Sequence, residues 1–298
     1  MSNTIGRIRG RLRRQRAFHA LKIGARVAGS LTYWRLKSAL GIQGRLPDYL
    51  IVGAQKAGTT ALQAMLAQHP RVRSAWTKEV HFFDRYYDLG LDWYRAHFPS
   101  CGGELGHGAC VVGEATPSYL FLPSAPERIA TISPDVRIIA ILREPVARAF
   151  SHYQHEVRRG WEDLGFEDAV AAEPERLARE AGELGPDGAL ADWRSSHSHH
   201  AYMSRGLYSE QLQRFVELLP RSNILILFSE ELKMHPDVVL NEVCDFIGIP
   251  PLSTTRPTFR NVGGYDANRV QAYRRAYDDM FTEDKHRLAA MLGRALPW

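Results

Sequence analysis

The feature that most constrains the fold is a short apolar run that ends in a glycine-rich loop and leads into a helical pattern. Residues 49–53 read YLIVG, the loop continues as AQKAGTT, and Leu62, Met65 and Leu66 follow at helical spacing. This order predicts a strand, a tight loop and a helix. Backbone N–H groups and the positive end of a helix dipole make such a loop an anion site, most often for phosphate.

Two further apolar runs have the character of buried strands. They are RIIAIL at 137–142 and NILILF at 223–228. Pro145 suits the first turn of a helix after the former, and a helical pattern over 207–219 precedes the latter. Strands that are apolar on both faces and alternate with helices indicate a parallel sheet. We therefore predict an α/β protein with a P-loop-like three-layer fold, in which helices flank a central parallel sheet.

Positive charge is concentrated before this body. Residues 1–46 contain eleven Lys or Arg and no Asp or Glu, which leaves 27 basic and 33 acidic residues in 47–298, a net charge of −6. The basic balance of the chain therefore does not indicate nucleic-acid binding by the body. Ile5, Ile8 and Leu12 recur at helical spacing, so residues 1–46 read as a basic amphipathic N-terminal extension. A helix on an anionic membrane surface and a helix packed partly on the body both fit this pattern.

The extension also bears on localisation. Its longest apolar stretch is interrupted by four basic residues: Lys22, Arg26, Arg35 and Lys37. We therefore predict no membrane span and no secretory signal. Three cysteines cannot form a complete disulfide framework, which favours a reducing compartment, although Cys101 and Cys110 can pair. The sequence predicts a cytoplasmic protein, peripheral at a membrane if the extension binds one.

The spacing of the loop differs from that of nucleoside-triphosphatases. Their loop reads G-x-x-x-x-G-K-[ST], with the lysine after the second glycine. Here Gly53 and Gly58 have that separation, but Thr59 takes the lysine's place and the lysine is Lys56, inside the loop. A ligand with a shorter 5′ phosphate chain and no metal bridge fits better. A nucleotide-dependent kinase and a membrane-surface binding protein stay as alternatives, and an enzyme should keep its turnover when residues 1–44 are deleted.

Residues 50–62 (LIVGAQKAGTTAL) resemble the 5′-phosphosulfate-binding loop of sulfotransferases that use 3′-phosphoadenosine-5′-phosphosulfate (PAPS), especially the heparan sulfate, or carbohydrate, type. Further matches follow in the family's order, at 78–84 (KEVHFFD), 93–94 (WY), 113–119 (GEATPSY) and 141–145 (ILREP) with Ser151. The closing LGRALPW resembles the end of bacterial members. The resemblance implies a bacterial sulfotransferase domain over 47–298, which moves a sulfuryl group from PAPS to a hydroxyl or amine and releases 3′-phosphoadenosine-5′-phosphate (PAP).

The resemblance also implies a role for each donor-site residue. Lys56 would hold the 5′ phosphate and stabilise the oxygen from which the sulfuryl group leaves. Five neighbouring loop residues would bind the same phosphate: Ala57, Gly58, Thr59, Thr60 and Ala61. Arg143 and Ser151 would bind the 3′ phosphate, since a guanidinium forms bidentate pairs with phosphate. Arg260 is the substitute for a Lys-Gly-Arg element of eukaryotic members, and the scheme needs no metal.

The motif at 78–84 supplies the predicted catalytic residues. By resemblance Glu79 is the general base, and Lys78, His81 and Asp84 arrange the acceptor, with His81 also catalytic. The phenylalanines at 82–83 predict a carboxylate that is shielded from water and has a raised pKa. A salt-bridged surface turn is the other interpretation of the Lys78–Glu79 pair.

Acceptor selectivity is expected in two less patterned segments, 85–110 and 160–205. Within the latter, the charged stretch 162–200 is predicted as a surface insertion near the acceptor site. Its three histidines are interpreted as part of a surface loop or of the acceptor rim rather than as a metal site. They are His197, His199 and His200. Ala115 stands where heparan sulfate 3-O enzymes have a lysine, which weakens the case for a heparan-like polyanion. The acceptor is therefore predicted to be a carbohydrate or another small metabolite, and the pair 93–94 either faces a sugar or packs in the core.

Overall fold

The computed structural model of the chain describes residues 24–25, 28–37, 39, 44–100, 110–180, 195–252 and 267–298. Within these residues five parallel strands form one sheet in the order β2-β3-β1-β4-β5. The strands are β1 (Tyr49–Gly53), β2 (Val72–Ser74), β3 (Val111–Ala115), β4 (Arg137–Leu142) and β5 (Ile224–Phe228). The predicted α/β fold with a central parallel sheet is confirmed.

Helices flank the sheet and connect its strands. In chain order they are α1 (Thr59–Leu66), α2 (Leu91–Arg95), α3 (Ser124–Ile132), α4 (Pro145–Arg159), α5 (Phe166–Arg179), α6 (Ser196–His199), α7 (Tyr208–Leu218), α8 (Ser229–Met234), α9 (Pro236–Phe246), α10 (Ala267–Tyr277) and α11 (Thr282–Leu292). Helix α1 packs near α9, whereas α7 packs against α3 and α11.

The strongest sequence patterns predict their elements closely. β1 and β4 have the predicted bounds, β5 starts one residue late, and α7 covers 208–218 of the predicted 207–219. Pro145 occupies the first turn of α4, as expected. β2 and β3 are not evident from the sequence, because β2 has three residues and β3 contains Gly113 and Glu114, which weaken a strand pattern.

The sheet brings several loops to one edge. β1 is fully buried and lies at the centre of the sheet, paired with β3 on one side and β4 on the other. Because the strands are parallel, the segments that follow them leave the sheet at the same edge, where open α/β folds bind ligands. That edge carries the loop 54–58 after β1, residues 116–118 after β3 and Arg143 after β4.

The weak patterning of 162–200 predicts a surface insertion, but the described part of that stretch is packed into the protein. Phe166, Ala169 and Val170 of α5 are buried in a second apolar cluster with residues of α4 and α10. Glu162 and Glu173 are buried too. Such buried charged residues interrupt the apolar periodicity by which a packed segment is recognised in a sequence. Each carboxylate has partners: Glu162 lies 2.6 Å from an Arg176 nitrogen, and Glu173 accepts from backbone N–H groups of residues 203–204. The boundaries of the insertion stay a prediction.

The N-terminal extension divides into two parts. Residues 1–23 lie outside the described residues, so the proposed membrane-binding face there stays a prediction. Residues 28–37 are helical, and Leu31 and Trp34 pack against the main core. This segment therefore follows the second of the two expectations, a helix packed on the body. No helix in the described ranges is long and apolar enough to cross a membrane.

Two of the three cysteines are described. Cys110 is disulfide-bonded, and Cys101, its predicted partner, lies outside the described residues. Cys244 on α9 is a free, buried thiol.

Candidate functional site

The glycine loop at the end of β1 has the geometry of a candidate anion site. Gly58 is the N-cap of α1 and no side chain caps this helix. Its φ of +114° lies in a region that L side chains rarely adopt, so the turn requires glycine. The first N–H groups of α1 have no partners within the helix. They are therefore available to a phosphate, together with the positive end of the helix dipole.

Lys56 is held inside this loop. Arg143 donates from Nη1 to the Lys56 carbonyl oxygen at 3.2 Å, which ties the loop to the end of β4. Burial first, and then the positive charge of Arg158, lower the pKa of the Lys56 ammonium to about 8. A half-buried cation beside free backbone N–H groups is a site that a bound anion would stabilise.

The residues expected at the 3′ phosphate are less closely joined. Ser151 is buried on α4, eight residues beyond Arg143. The N-terminus of α4 is already capped, because the Glu144 carboxylate accepts from the N–H groups of Val146 at 2.9 Å and Ala147 at 2.7 Å. An anion near Arg143 would therefore depend on side chains rather than on this helix end. Arg260 lies outside the described residues.

The motif at 78–84 meets the loop directly. Lys78 donates from Nζ to Thr60 Oγ1 at 2.7 Å and lies 3.2 Å from Glu79 Oε1. His81 Nε2 lies 3.7 Å from Glu79 Oε2, and His81 Nδ1 lies 2.8 Å from Asp84 Oδ2. The structure thus joins five of the predicted site residues in one chain of contacts. Lys78, expected at the acceptor, contacts the donor loop here.

The expectation that Glu79 has a raised pKa is wrong. Burial alone would raise the pKa of its carboxyl group, but the adjacent imidazole of His81 and the positive charge of Lys78 outweigh burial and lower it. The phenylalanines do not shield the carboxylate either. Phe82 stacks on Tyr94 with ring centroids 4.3 Å apart, and Phe83 packs edge-on to Tyr119. Glu79 is therefore ionised over the whole neutral range.

His81 is oriented by a buried carboxylate. Asp84 is fully buried, and it also accepts a hydrogen bond from Ser118 Oγ at 2.5 Å. Burial would lower the pKa of His81, but the negative charge of Asp84 outweighs burial and raises it. When it is protonated, His81 adds a positive charge beside Glu79 that helps to hold the carboxylate in place.

Backbone strain marks the same residues. Among the described residues, the non-glycine residues with positive φ are Lys56 at 71°, Glu79 at 58° and His81 at 59°. Such conformations are uncommon for residues other than glycine, although Asn, Asp and His adopt them more often than the rest, and they persist where the surroundings enforce them. Strain of this kind clusters at functional sites, so its confinement to three predicted catalytic residues supports their assignment.

Glu114, to which the sequence assigns no role, fixes the 78–84 motif to β3. This buried carboxylate on β3 accepts from the Val80 backbone N–H at 3.2 Å, the Tyr94 hydroxyl at 2.7 Å and the Thr116 hydroxyl at 2.7 Å. Tyr119 also donates to it at 3.1 Å and accepts from the Phe82 N–H at 2.9 Å. The peptide groups that follow Glu79 and His81 are thus fixed to Glu114 of β3, the second of them through Tyr119.

We expect Glu114→Ala to lower the free energy of unfolding by about 3 kcal/mol, because the substitution strands several buried donors at once. Urea denaturation followed by circular dichroism measures this loss. Glu114→Gln keeps one carbonyl oxygen for the donors and should lose less. A Glu114→Ala protein as stable as the wild type would show that the network contributes nothing to the fold.

A cleft opens beside Glu79 and His81. One group of its lining residues comprises Ser30, Trp93 and His97, and a second comprises Glu156, His199 and Arg205. His199 Nδ1 lies 2.8 Å from Glu156 Oε2, and the His199 ring stacks on Trp161. The cleft therefore presents both aromatic and charged side chains next to the predicted base.

Buried residues of the histidine cluster (197–200) and of the aromatic pair (93–94) lie at or near the cleft. His197 and His199 are buried, so the interpretation as a surface loop is wrong for these two residues. His199 does line the cleft, as the alternative interpretation of an acceptor rim expects. Tyr94 is a core residue bonded to Glu114. Trp93 is also buried, but it borders the cleft.

Sequence reasoning missed residues of two kinds. Glu114 carries a signal that could have been used, a charged residue within the strand VVGEA. Glu156 and Arg205 are 49 residues apart, and Ser30 lies in the extension; no spacing in the sequence connects any of them with Glu79.

Comparison with known proteins is consistent with this geometry. A family model described as "Sulfotransferase domain" matches residues 46–262. The chain is 36% identical over 219 residues to mouse (Mus musculus) heparan sulfate glucosamine 3-O-sulfotransferase 6, covering 73% of this chain and 56% of the relative. It is 32% identical over 218 residues to mouse bifunctional heparan sulfate N-deacetylase/N-sulfotransferase 3, covering 70% of this chain and 23% of the relative. The chain thus spans at most about half the length of these two curated relatives.

A solved structure extends the likeness over most of the fold. The sulfotransferase from Alicyclobacillus acidocaldarius superposes with a TM-score of 0.67 at 29% identity, covering 85% of this chain and 98% of that one. The family model spans well over half of the chain and includes the loop, the 78–84 motif and Arg143. The protein belongs to the sulfotransferase domain family.

Proposed function

We propose that the protein transfers a sulfuryl group from PAPS to a hydroxyl or amine of a carbohydrate or another small metabolite. One observation carries the proposal: Lys78 bonds to Thr60 of the anion-binding loop and pairs with Glu79. A site for the donor phosphate and an ionised carboxylate that can accept a proton are therefore adjacent. Transfer between two substrates needs this juxtaposition.

On the donor side, Lys56 and the N–H groups at the start of α1 are the groups that would hold the 5′ phosphate. Arg143, with Ser151 and Arg260, is proposed for the 3′ phosphate. Negative charge builds on the phosphate oxygen as its bond to sulfur breaks. A fixed cation and fixed N–H groups stabilise that charge without reorganising, which is the main electrostatic contribution to such a step.

On the acceptor side, Glu79 is proposed to take the proton. The acceptor oxygen or nitrogen forms a bond to sulfur, the bond from sulfur to the phosphate oxygen breaks, and PAP leaves. The acceptor proton passes to the Glu79 carboxylate. His81, held by Asp84, keeps Glu79 oriented, and Lys78 connects the base to the donor loop.

Family membership indicates the chemical class of the acceptor but does not identify the acceptor itself. The two curated relatives are named for 3-O- and N-sulfation of heparan sulfate, so the choice between hydroxyl and amine stays open. Ala115 departs from the lysine expected in the 3-O enzymes. A cytoplasmic location, and contact of residues 1–46 with an anionic membrane surface, stay hypotheses beside this proposal.

Calorimetric titration with PAP, in the presence of a chelator, tests the donor site. We expect saturable binding by the wild-type protein and at least tenfold weaker binding by Arg143→Ala, because a charge-assisted hydrogen bond is worth about 1.5–3 kcal/mol. Arg287→Ala is the matched control, since its guanidinium is exposed on α11 and pairs only loosely with Glu283 at 3.8 Å.

A parallel titration with ATP and magnesium separates the kinase alternative. Binding of ATP with magnesium but not of PAP would sink the sulfotransferase proposal and favour the kinase. Equal PAP affinities for Arg143→Ala and Arg287→Ala would remove Arg143 from the donor site.

A further inference from the structure

We propose that the helical segment 28–37 is part of the acceptor site, and that Ser30 limits which carbohydrate acceptors reach Glu79. The inference rests on the proposed function and extends it to a segment outside the sequence motifs. Ser30 is buried and lines the same cleft as Glu79 and His81. The segment therefore contributes to the cavity in which an acceptor would lie, and is not simply a tether ahead of the domain.

The segment is fixed to the body by a buried lysine. Lys37 is 8% exposed, and its Nζ donates to the carbonyl oxygens of Ala96 at 3.0 Å and Phe98 at 3.2 Å. These carbonyls follow α2, where the last backbone acceptors of a helix lack partners within it. Hydrogen bonds from a charged donor are among the stronger ones in proteins. The end of the segment is thus positioned against the residues that follow α2.

Aromatic contacts lead from the segment to the cleft wall. Tyr33 packs on Trp76 with ring centroids 4.9 Å apart, and Trp76 stacks on His97 at 5.5 Å. His97 in turn meets Trp93 at 4.3 Å. Both His97 and Trp93 line the cleft. A change in the position of the segment would therefore reach the wall through three consecutive ring contacts.

Gly44, shortly before β1, also lies very close to the end of α2. A Cβ built on Gly44 would lie 1.8 Å from the Arg95 carbonyl oxygen, so no other residue fits without moving backbone. Leu31 and Trp34 add apolar contacts with the main core. With Lys37 docked after α2 and one face buried, the segment is built to keep Ser30 in the cleft. Deleting residues 1–44 would remove this wall, contrary to the expectation that turnover survives the deletion.

Matched substitutions of two small hydroxyl residues test the assignment. Ser30→Phe adds bulk within the cleft, whereas Thr32→Phe adds the same ring type on the exposed face of the segment. The probes are glucosamine, a glucosamine-containing disaccharide and a heparan-backbone hexasaccharide, each with labelled PAPS. We expect Ser30→Phe to lower kcat/KM at least tenfold for the best of these acceptors and Thr32→Phe to stay within twofold of the wild type. The Kd for PAP should be unchanged in both variants.

Lys37→Met serves as a second variant in case Ser30→Phe fails to fold. It keeps the aliphatic length but removes the Nζ donors that dock the segment. We expect the ratio of kcat/KM for the hexasaccharide to that for glucosamine to change at least threefold, because the wall is less firmly held.

The outcomes separate the two proposals. Absence of PAP binding by the wild-type protein contradicts the proposed function itself. The inference is overturned if PAP binds and Ser30→Phe behaves like Thr32→Phe, if Ser30→Phe weakens PAP binding, if the ratio for Lys37→Met does not change, or if no saccharide is sulfated.

Discussion

Glu79→Gln should lower kcat for sulfuryl transfer about 10²- to 10⁴-fold, the usual contribution of a positioned general base. The amide keeps the size of the side chain beside His81, but it cannot take the acceptor proton. Affinity for PAP should stay within twofold, because the anion-binding groups lie on the loop and at Arg143. Initial rates with labelled PAPS and calorimetry with PAP measure the two effects separately.

The pH profile adds a second check on Glu79. Its pKa lies below the ordinary value of 4.5, so the carboxylate stays ionised as the pH falls, and the acid limb of kcat/KM should lie below pH 4.5. Glu283→Gln, at an exposed position on α11, is the matched control and should leave kcat unchanged. A Glu79→Gln enzyme with wild-type kcat would exclude this residue as the base.

Local patterns predict the elements that position the donor site, because those elements are defined by neighbouring residues. The strand, the loop with Lys56 and the helix after it follow one another in the chain, so composition and spacing contain the information. The same holds for β4 and Pro145. Residues 78–84 have no regular period, and only the family resemblance singles out Glu79 among them.

The rest of the candidate site depends on contacts between distant parts of the chain. Glu114 is 34 residues from Val80, and Lys37 is 59 residues from Ala96. The pKa of Glu79 is likewise decided by where its neighbours lie. The two phenylalanines predict a dry environment, whereas the fold turns them toward the core and leaves Lys78 and His81 beside the carboxylate. Sequence order contains none of these distances.

Lys56→Ala should lower kcat about 10²- to 10³-fold, the usual loss when one preorganised group that stabilises a leaving oxyanion is removed. It should also weaken PAP binding, because the half-buried ammonium lies within the loop proposed to bind the 5′ phosphate. Lys56→Arg restores a positive charge but not the compact ammonium, so it should recover PAP affinity more than kcat. Rates and calorimetry on the three proteins measure the two contributions.

The pH dependence of PAP binding gives this prediction a specific signature. The pKa of Lys56 is lowered to about 8 in the free protein, so the ammonium is charged below that pH and loses its proton above it. A bound phosphate favours the charged form and raises the pKa. PAP affinity should therefore fall as the pH rises through 8, and above that pH Lys56 should take up a proton when PAP binds. Lys56→Ala should bind PAP weakly at every pH without this fall; if its affinity falls as steeply as that of the wild type, another group is titrating.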